Sequence, residues 1–156
     1  MRNIPIIIHC LFFILIVSLP VTALSNSIEQ KFKTARLVDI ASIDPLIHVD
    51  LVNSYPQKNF FRENYYQGLK KAYLRKEVAV KLSNAQKILK KRYPNYSLQI
   101  LDAARPRSVS RAMYKKMKGT KLEKYVANPA KGSMHNYGIA VDITILDKNA
   151  AIPGRP

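Results

Sequence analysis

The sequence predicts an α+β domain, a small mostly antiparallel sheet packed with helices, and three observations carry that reading. Residues 46–52 and 138–146 alternate with the period of two that a half-buried strand shows. Val78, Leu82, Ala85 and Leu89 recur at the spacing of a single helical face. The order of elements is strand, loop, long helix, strand, helix, loop, strand, which places helices on one side of a small sheet.

Taken in order, the elements begin with a leader. Arg2 supplies a short positive region, Ile6 to Val17 an apolar core, and Val21-Thr22-Ala23 a small-residue cleavage site, so residues 1–23 read as a secretory signal and 24–156 as a single domain. The apolar run is shorter than the ~20 residues of a spanning helix. Export to the periplasm or cell envelope is the expected outcome. Cys10 is the only cysteine and lies in the leader, so the mature chain is expected to carry neither a disulfide nor a lipid.

The strand at 46–52 puts His48 on the same face as Leu46 and Asp50. The helix expected over 70–93 ends with Lys90, Lys91 and Arg92 in its last turn, where cations favour the macrodipole, and Pro94 follows it. Residues 97–102 read as a strand closed by a turn at Pro106, and Val109, Met113 and Met117 then mark a second helix. In the last strand Ile139, Val141, Ile143 and Ile145 share one face. Ala140, Asp142 and Thr144 share the other, which makes Asp142 the one charge in an apolar strand and an expected buried carboxylate in need of a cation or several donors. Asp147-Lys148-Asn149 reads as a loop.

The chain carries 26 Lys and Arg against 10 Asp and Glu, a net charge of +16. Such charge raises nucleic-acid binding as a possibility. The leader and the lack of a recognisable binding module argue against it, and a basic surface that adheres to an anionic cell envelope is expected instead.

The chemistry concentrates in Ser133-Met134-His135-Asn136-Tyr137-Gly138-Ile139-Ala140-Val141-Asp142, where an imidazole and a carboxylate lie seven residues apart across a glycine. Zinc accepts both ligand types. The pattern Ser-x-His-x-x-Gly-x-Ala-x-Asp resembles the signature of the zinc D-alanyl-D-alanine dipeptidases and the related D,D-carboxypeptidases and endolysins. Asp102-Ala103-Ala104-Arg105-Pro106 resembles that family's Asp-x-x-Arg-Pro element, and residues 47–56 and 59–66 resemble its N-terminal strand and Asn-Phe loop. The likeness runs from about Arg36 to Asp147 and favours the dipeptidase group.

The resemblance implies a D-Ala-D-Ala metallopeptidase-like fold and one Zn²⁺ per complete chain, held by His135, Asp142 and a later histidine. It implies Arg105 as stabiliser of the tetrahedral transition state, a role suited to a permanently charged planar fork of donors. It also implies a glutamate as general base, and D-Ala-D-Ala or a peptidoglycan-derived peptide as substrate. Ser133 either orients the motif loop or touches the substrate carboxylate. Residues 143–156 contain no His and no Glu, so the chain reads as a C-terminally truncated or degenerate member, without the third ligand and the base. His48 is expected to be structural or at the surface rather than a substitute ligand, and Glu63, Glu77 and Glu123 do not match the base. The rival readings are a D,D-carboxypeptidase or endopeptidase on intact peptidoglycan, and a catalytically dead envelope-associated remnant.

Overall fold

The computed structural model describes residues 22–147 and 149; the expected leader core and the tail 150–156 lie outside them. Eight elements follow one another: α1 (Thr22–Thr34), β1 (Val38–Asp39), β2 (His48–Val49), β3 (Tyr73–Leu74), α2 (Lys76–Arg92), β4 (Ser97–Asp102), α3 (Arg107–Met117) and β5 (Asp142–Leu146). The class is α+β with small sheets. Among the described residues no helix is long and apolar enough to cross a membrane.

β4 is the centre of a three-stranded sheet in the order β2-β4-β5. It pairs antiparallel with β5 and parallel with β2, one parallel ladder in an otherwise antiparallel set. The parallel pair exists because the chain between β2 and β4 is long enough to make a crossover containing α2. A second, two-stranded antiparallel ladder joins β1 to β3. Ile40, Leu74, Ile100 and Tyr66 are fully enclosed in the core between these layers.

Three elements differ from their expected forms, each for a local reason. The strand expected over 46–52 shrinks to His48–Val49, because Asp44 Oδ1 accepts from the Leu46 N–H at 3.1 Å and Val52–Ser54 tightens into a 3₁₀ turn. The helix expected from residue 70 starts at Lys76, because Tyr73–Leu74 is fully buried as β3. Its inward face is Ala79, Leu82, Ser83 and Gln86, while Ala85 is exposed. Two polar residues hold α2 in that rotation: Ser83 Oγ donates to Asp44 Oδ2 at 2.9 Å, and Gln86 Oε1 accepts from the Leu98 N–H at 2.7 Å.

β5 begins only at Asp142 and forms the sheet edge. Ile143 and Ile145 lie opposite Ile100 and Leu98 of β4 but remain substantially exposed. The Asp142 side chain is 58% exposed, so it is not the buried carboxylate the alternation predicts; it stands at the first residue of an edge strand, where little covers it. The register shifts between Ile100 and Asp102, and Leu101 is the extra residue of the bulge. That shift brings Asp102 directly opposite Asp142, an instance of a bulge re-aiming side chains beside a site.

Candidate metal centre

The motif loop is built to present His135. Ser133 caps the 3₁₀ turn Met134–Tyr137: its hydroxyl accepts from the His135 N–H at 3.3 Å, and the Asn136 side chain accepts in return from the Ser133 N–H at 2.9 Å. Asn136 Nδ2 also donates to the Arg105 carbonyl and to Ser110 Oγ, which ties the turn to the start of α3. Gly138 ends the turn with φ +67°, in the left-handed region. A Cβ there would come 2.8 Å from Leu37 Cδ2 and 3.3 Å from the Arg75 backbone nitrogen, so both its conformation and its space call for glycine. Of the two roles open for Ser133, the loop-orienting one has direct contacts; the residue also lines the cleft.

The His135 backbone carbonyl accepts from the Arg105 N–H at 2.9 Å, joining the loop to the end of β4. The imidazole donates from Nδ1 to the Ala103 carbonyl at 2.8 Å, which leaves Nε2 as the ring's lone-pair nitrogen. Nε2 lies 3.6 Å from Asp142 Oδ1. Burial, the largest influence on His135, lowers its pKa. The Asp142 carboxylate and the Ala103 carbonyl together outweigh that, and the imidazole is held above its ordinary value. Asp142 is shifted down, chiefly by His135 and against the effect of its partial burial.

Arg105 extends from the end of β4 into the same cleft, 3.9 Å from Asp142 Oδ2. Its Nε and Nη2 both donate to Asp102 Oδ2, with Nε at 3.0 Å. The Tyr66 hydroxyl, itself bonded to Asp102, also acts on the guanidinium. Burial works against its charge most strongly, and the Asp102 carboxylate more than compensates.

Asp102, His135 and Asp142 offer ligand atoms within 4.8 Å of one another and form a group that could hold a metal ion. The three are not equal in this. Asp102 Oδ1 already accepts from Tyr66 Oη at 2.5 Å and from the Ala103 N–H at 2.9 Å, and Oδ2 from Asn53 Nδ2 at 2.9 Å and from Arg105. A carboxylate has about four lone-pair sites, and all are in use here. His135 Nε2 and Asp142 Oδ1 face each other, and their 3.6 Å spacing fits two ligands each ~2.0–2.2 Å from one zinc.

The cleft has a volume of about 560 Å³. His135, Asp142 and Arg105 form its polar end, and Phe60, Phe61, Met113, Met117 and Leu122 line the apolar part. Asn59 shapes the Phe60–Phe61 wall by donating from Nδ2 to the Val52, Tyr55 and Glu63 carbonyls. The structure therefore brings Arg105, Ser133, His135 and Asp142 together. His48 is exposed on β2 and does not line the cleft. Glu63 pairs with Lys116, and Glu123 accepts from Tyr114 and Gly119, both away from His135. Asp147 caps its own turn by accepting from the Asn149 N–H at 2.8 Å.

The sequence assigns no role to Asn53, Tyr66 or the anchoring carboxylate Asp102. Only Asp102 left a signal, its place three residues before Arg105. Against known proteins, the chain matches no family model, and no curated protein sequence resembles it closely enough to count as a match.

Proposed function

We propose that this chain is a zinc peptidase of the D-alanyl-D-alanine dipeptidase kind, exported and acting on D-Ala-D-Ala released in cell-wall metabolism. The observation that carries the reading is the facing pair His135 Nε2 and Asp142 Oδ1, 3.6 Å apart, in one cleft with Arg105. His135 and Asp142 would hold the metal. Bound zinc supplies Lewis-acid polarisation of a carbonyl and a water acidic enough to attack near neutral pH.

The chain's own residues do the rest. Ala103 fixes the imidazole tautomer so that Nε2 faces the cleft. Asp102 fixes the guanidinium of Arg105 at the cleft wall, where its positive charge would stabilise an oxygen that gains negative charge during attack. Ser133 and Asn136 hold the loop that carries His135. Among the described residues no glutamate lines the cleft, so the general base the family resemblance implies has no counterpart there.

A D,D-carboxypeptidase or endopeptidase is the second reading. The observation in its favour is the apolar extent of the cleft, which exceeds what two methyl side chains fill.

Metal titration tests the proposal. The 156-residue chain should take up one zinc by calorimetry or dialysis, weakly for a catalytic site. His135→Ala and Asp142→Ala should each abolish uptake, whereas Ser133→Ala should retain it. Zinc uptake that survives both of the first two substitutions sinks the metal reading, and with it the peptidase.

A further inference from the structure

We infer that the apolar half of the cleft is a side-chain subsite that widens the substrate class beyond dialanine. It takes short peptides with one large, uncharged apolar side chain beside the bond presented to His135 and Asp142. The inference rests on the peptidase reading for the reaction and on the cleft walls for the selectivity.

Three stretches of chain build the subsite. Met113 and Met117, one turn apart on α3, form its base; Leu122 and Tyr125 form one wall, and Phe60 and Phe61 another. Phe60 and Tyr125 are 69% and 75% exposed, so both lips hold large apolar area in water until something covers it. Single exposed apolar residues need no explanation, but six that converge on one cleft mark a binding surface.

Both walls are pinned by polar contacts to α3 and its end. Glu123 accepts from Tyr114 Oη and from the Gly119 N–H, each at 2.7 Å, which fixes the turn carrying Leu122 and Tyr125. Lys116 pairs with Glu63 and donates to the Phe61 carbonyl at 3.4 Å. The Phe61 ring meets those of Phe60 and Tyr65 edge-on, 5.7 Å between centroids in each case. A wall already held in shape binds without the ordering cost of a mobile one.

The polar end selects what occupies the apolar one. One cleft of about 560 Å³ contains both, so a molecule held at His135, Asp142 and Arg105 lays its flanking group against the methionines. Among the described residues those three are the ionisable groups of the lining, apart from the Tyr125 phenol, and the apolar half offers a charged side chain no counter-charge. Methionine adapts to varied shapes, so aromatic and branched aliphatic groups both fit, whereas a methyl leaves most of the wall in water.

The test measures equilibrium binding of D-Ala-D-Ala, D-Phe-D-Ala, D-Ala-D-Phe and D-Lys-D-Ala to the full chain, with and without zinc. One of the two phenylalanine dipeptides should bind at least about tenfold more tightly than D-Ala-D-Ala in both conditions. Which of them does so assigns the side of the bond that the subsite serves. D-Lys-D-Ala, similar in reach but charged, should bind no more tightly than D-Ala-D-Ala. Met117→Asn/Leu122→Asn should cut the preference to below about threefold, with zinc uptake at the parent's level showing that the variant is folded. Ile88→Asn, at an exposed position of α2 outside the cleft, should leave the preference intact. Equal affinity of the parent for the phenylalanine and alanine dipeptides, or tighter binding of D-Lys-D-Ala, would overturn the subsite even if zinc binds. A preference that survives Met117→Asn/Leu122→Asn would overturn it as well. A preference that holds in a chain without zinc uptake would support the subsite and defeat the metal reading alone.

Discussion

A carboxylate enclosed at the end of a strand must be met by donors or by a cation, and Asp102 is met by both. Its partners come from four places in the chain: Asn53, Tyr66, the adjoining Ala103 N–H and Arg105. This arrangement makes Asp102 an anchor for the Arg105 guanidinium rather than a third ligand. Burial raises the Tyr66 phenol pKa well above its ordinary value, with the neighbouring Asp102 charge adding to it, so the hydroxyl stays a donor at any working pH. Substituting Asp102→Asn leaves the largely buried Arg105 without its counter-charge, and should cost about 3 kcal/mol of stability in urea unfolding. Tyr66→Phe removes one donor and should cost about 1–2 kcal/mol. An Asp102→Asn loss below about 1 kcal/mol would refute the anchoring role. The aspartate, three residues before the arginine, was visible in the sequence. Its partners were not, because Asn53 and Tyr66 lie 49 and 36 residues away and such pairings leave no local periodicity.

At the scale of elements, strand β4 was legible to the residue, since a central strand buried on both faces imposes its pattern on the whole segment. α2 was legible in existence but not in rotation. Its stripe of Val78, Leu82, Ala85 and Leu89 assumed that only apolar residues face inward, whereas Ser83 and Gln86 are buried by hydrogen bonds to Asp44 and β4. β5 failed differently, because alternation fixes parity but cannot say whether a strand is central or at an edge. Docking of α1 left no sequence signal: Phe32 enters the core against the Tyr73 ring, 5.6 Å between centroids, and one carboxylate adds the polar ties. Glu29 accepts from Tyr73 Oη at 2.7 Å and from Lys71 at 3.1 Å, and pairs with Lys33 at 2.9 Å, which ties α1 to β3. The Tyr73 hydroxyl first, then Lys33 and Lys71, lower its pKa from 4.5 to about 2. A depressed folded-state pKa gives stability that is present above the unfolded value and is lost as pH falls toward the folded one. Glu29→Gln should therefore destabilise the chain by about 1 kcal/mol at pH 7. The gap from the parent should narrow below pH 4.5 and close near pH 2 in melts across that range. A gap independent of pH would mean that Glu29 acts through packing alone.

Across the whole molecule, two stretches far apart in sequence converge on one cleft: the end of β4, and the run from the turn Met134–Tyr137 into the start of β5. The bulge at Leu101 and the left-handed Gly138 are the two backbone devices that align them. Among the described residues the site holds the facing ligand pair His135 and Asp142, one anchored guanidinium and no glutamate in its lining. That inventory sets an expectation for rate. A missing positioned base typically removes about 10²–10⁴-fold. Weak metal retention acts on the same water, so the two losses need not multiply. With saturating zinc, the 156-residue chain should hydrolyse D-Ala-D-Ala far below the ~10 s⁻¹ of an ordinary enzyme. Small molecules that supply a base or a further ligand to this cleft should help. Added imidazole or acetate should raise the rate in proportion to its concentration, and should do so only when His135 and Asp142 are intact. Arg105→Lys should lower both assisted and unassisted rates, since a point charge cannot reproduce the fork held by Asp102. Turnover at ordinary enzyme rates without any additive would show that another group of this chain serves as base, and Asp102, the carboxylate beside His135, would then be the first residue to substitute.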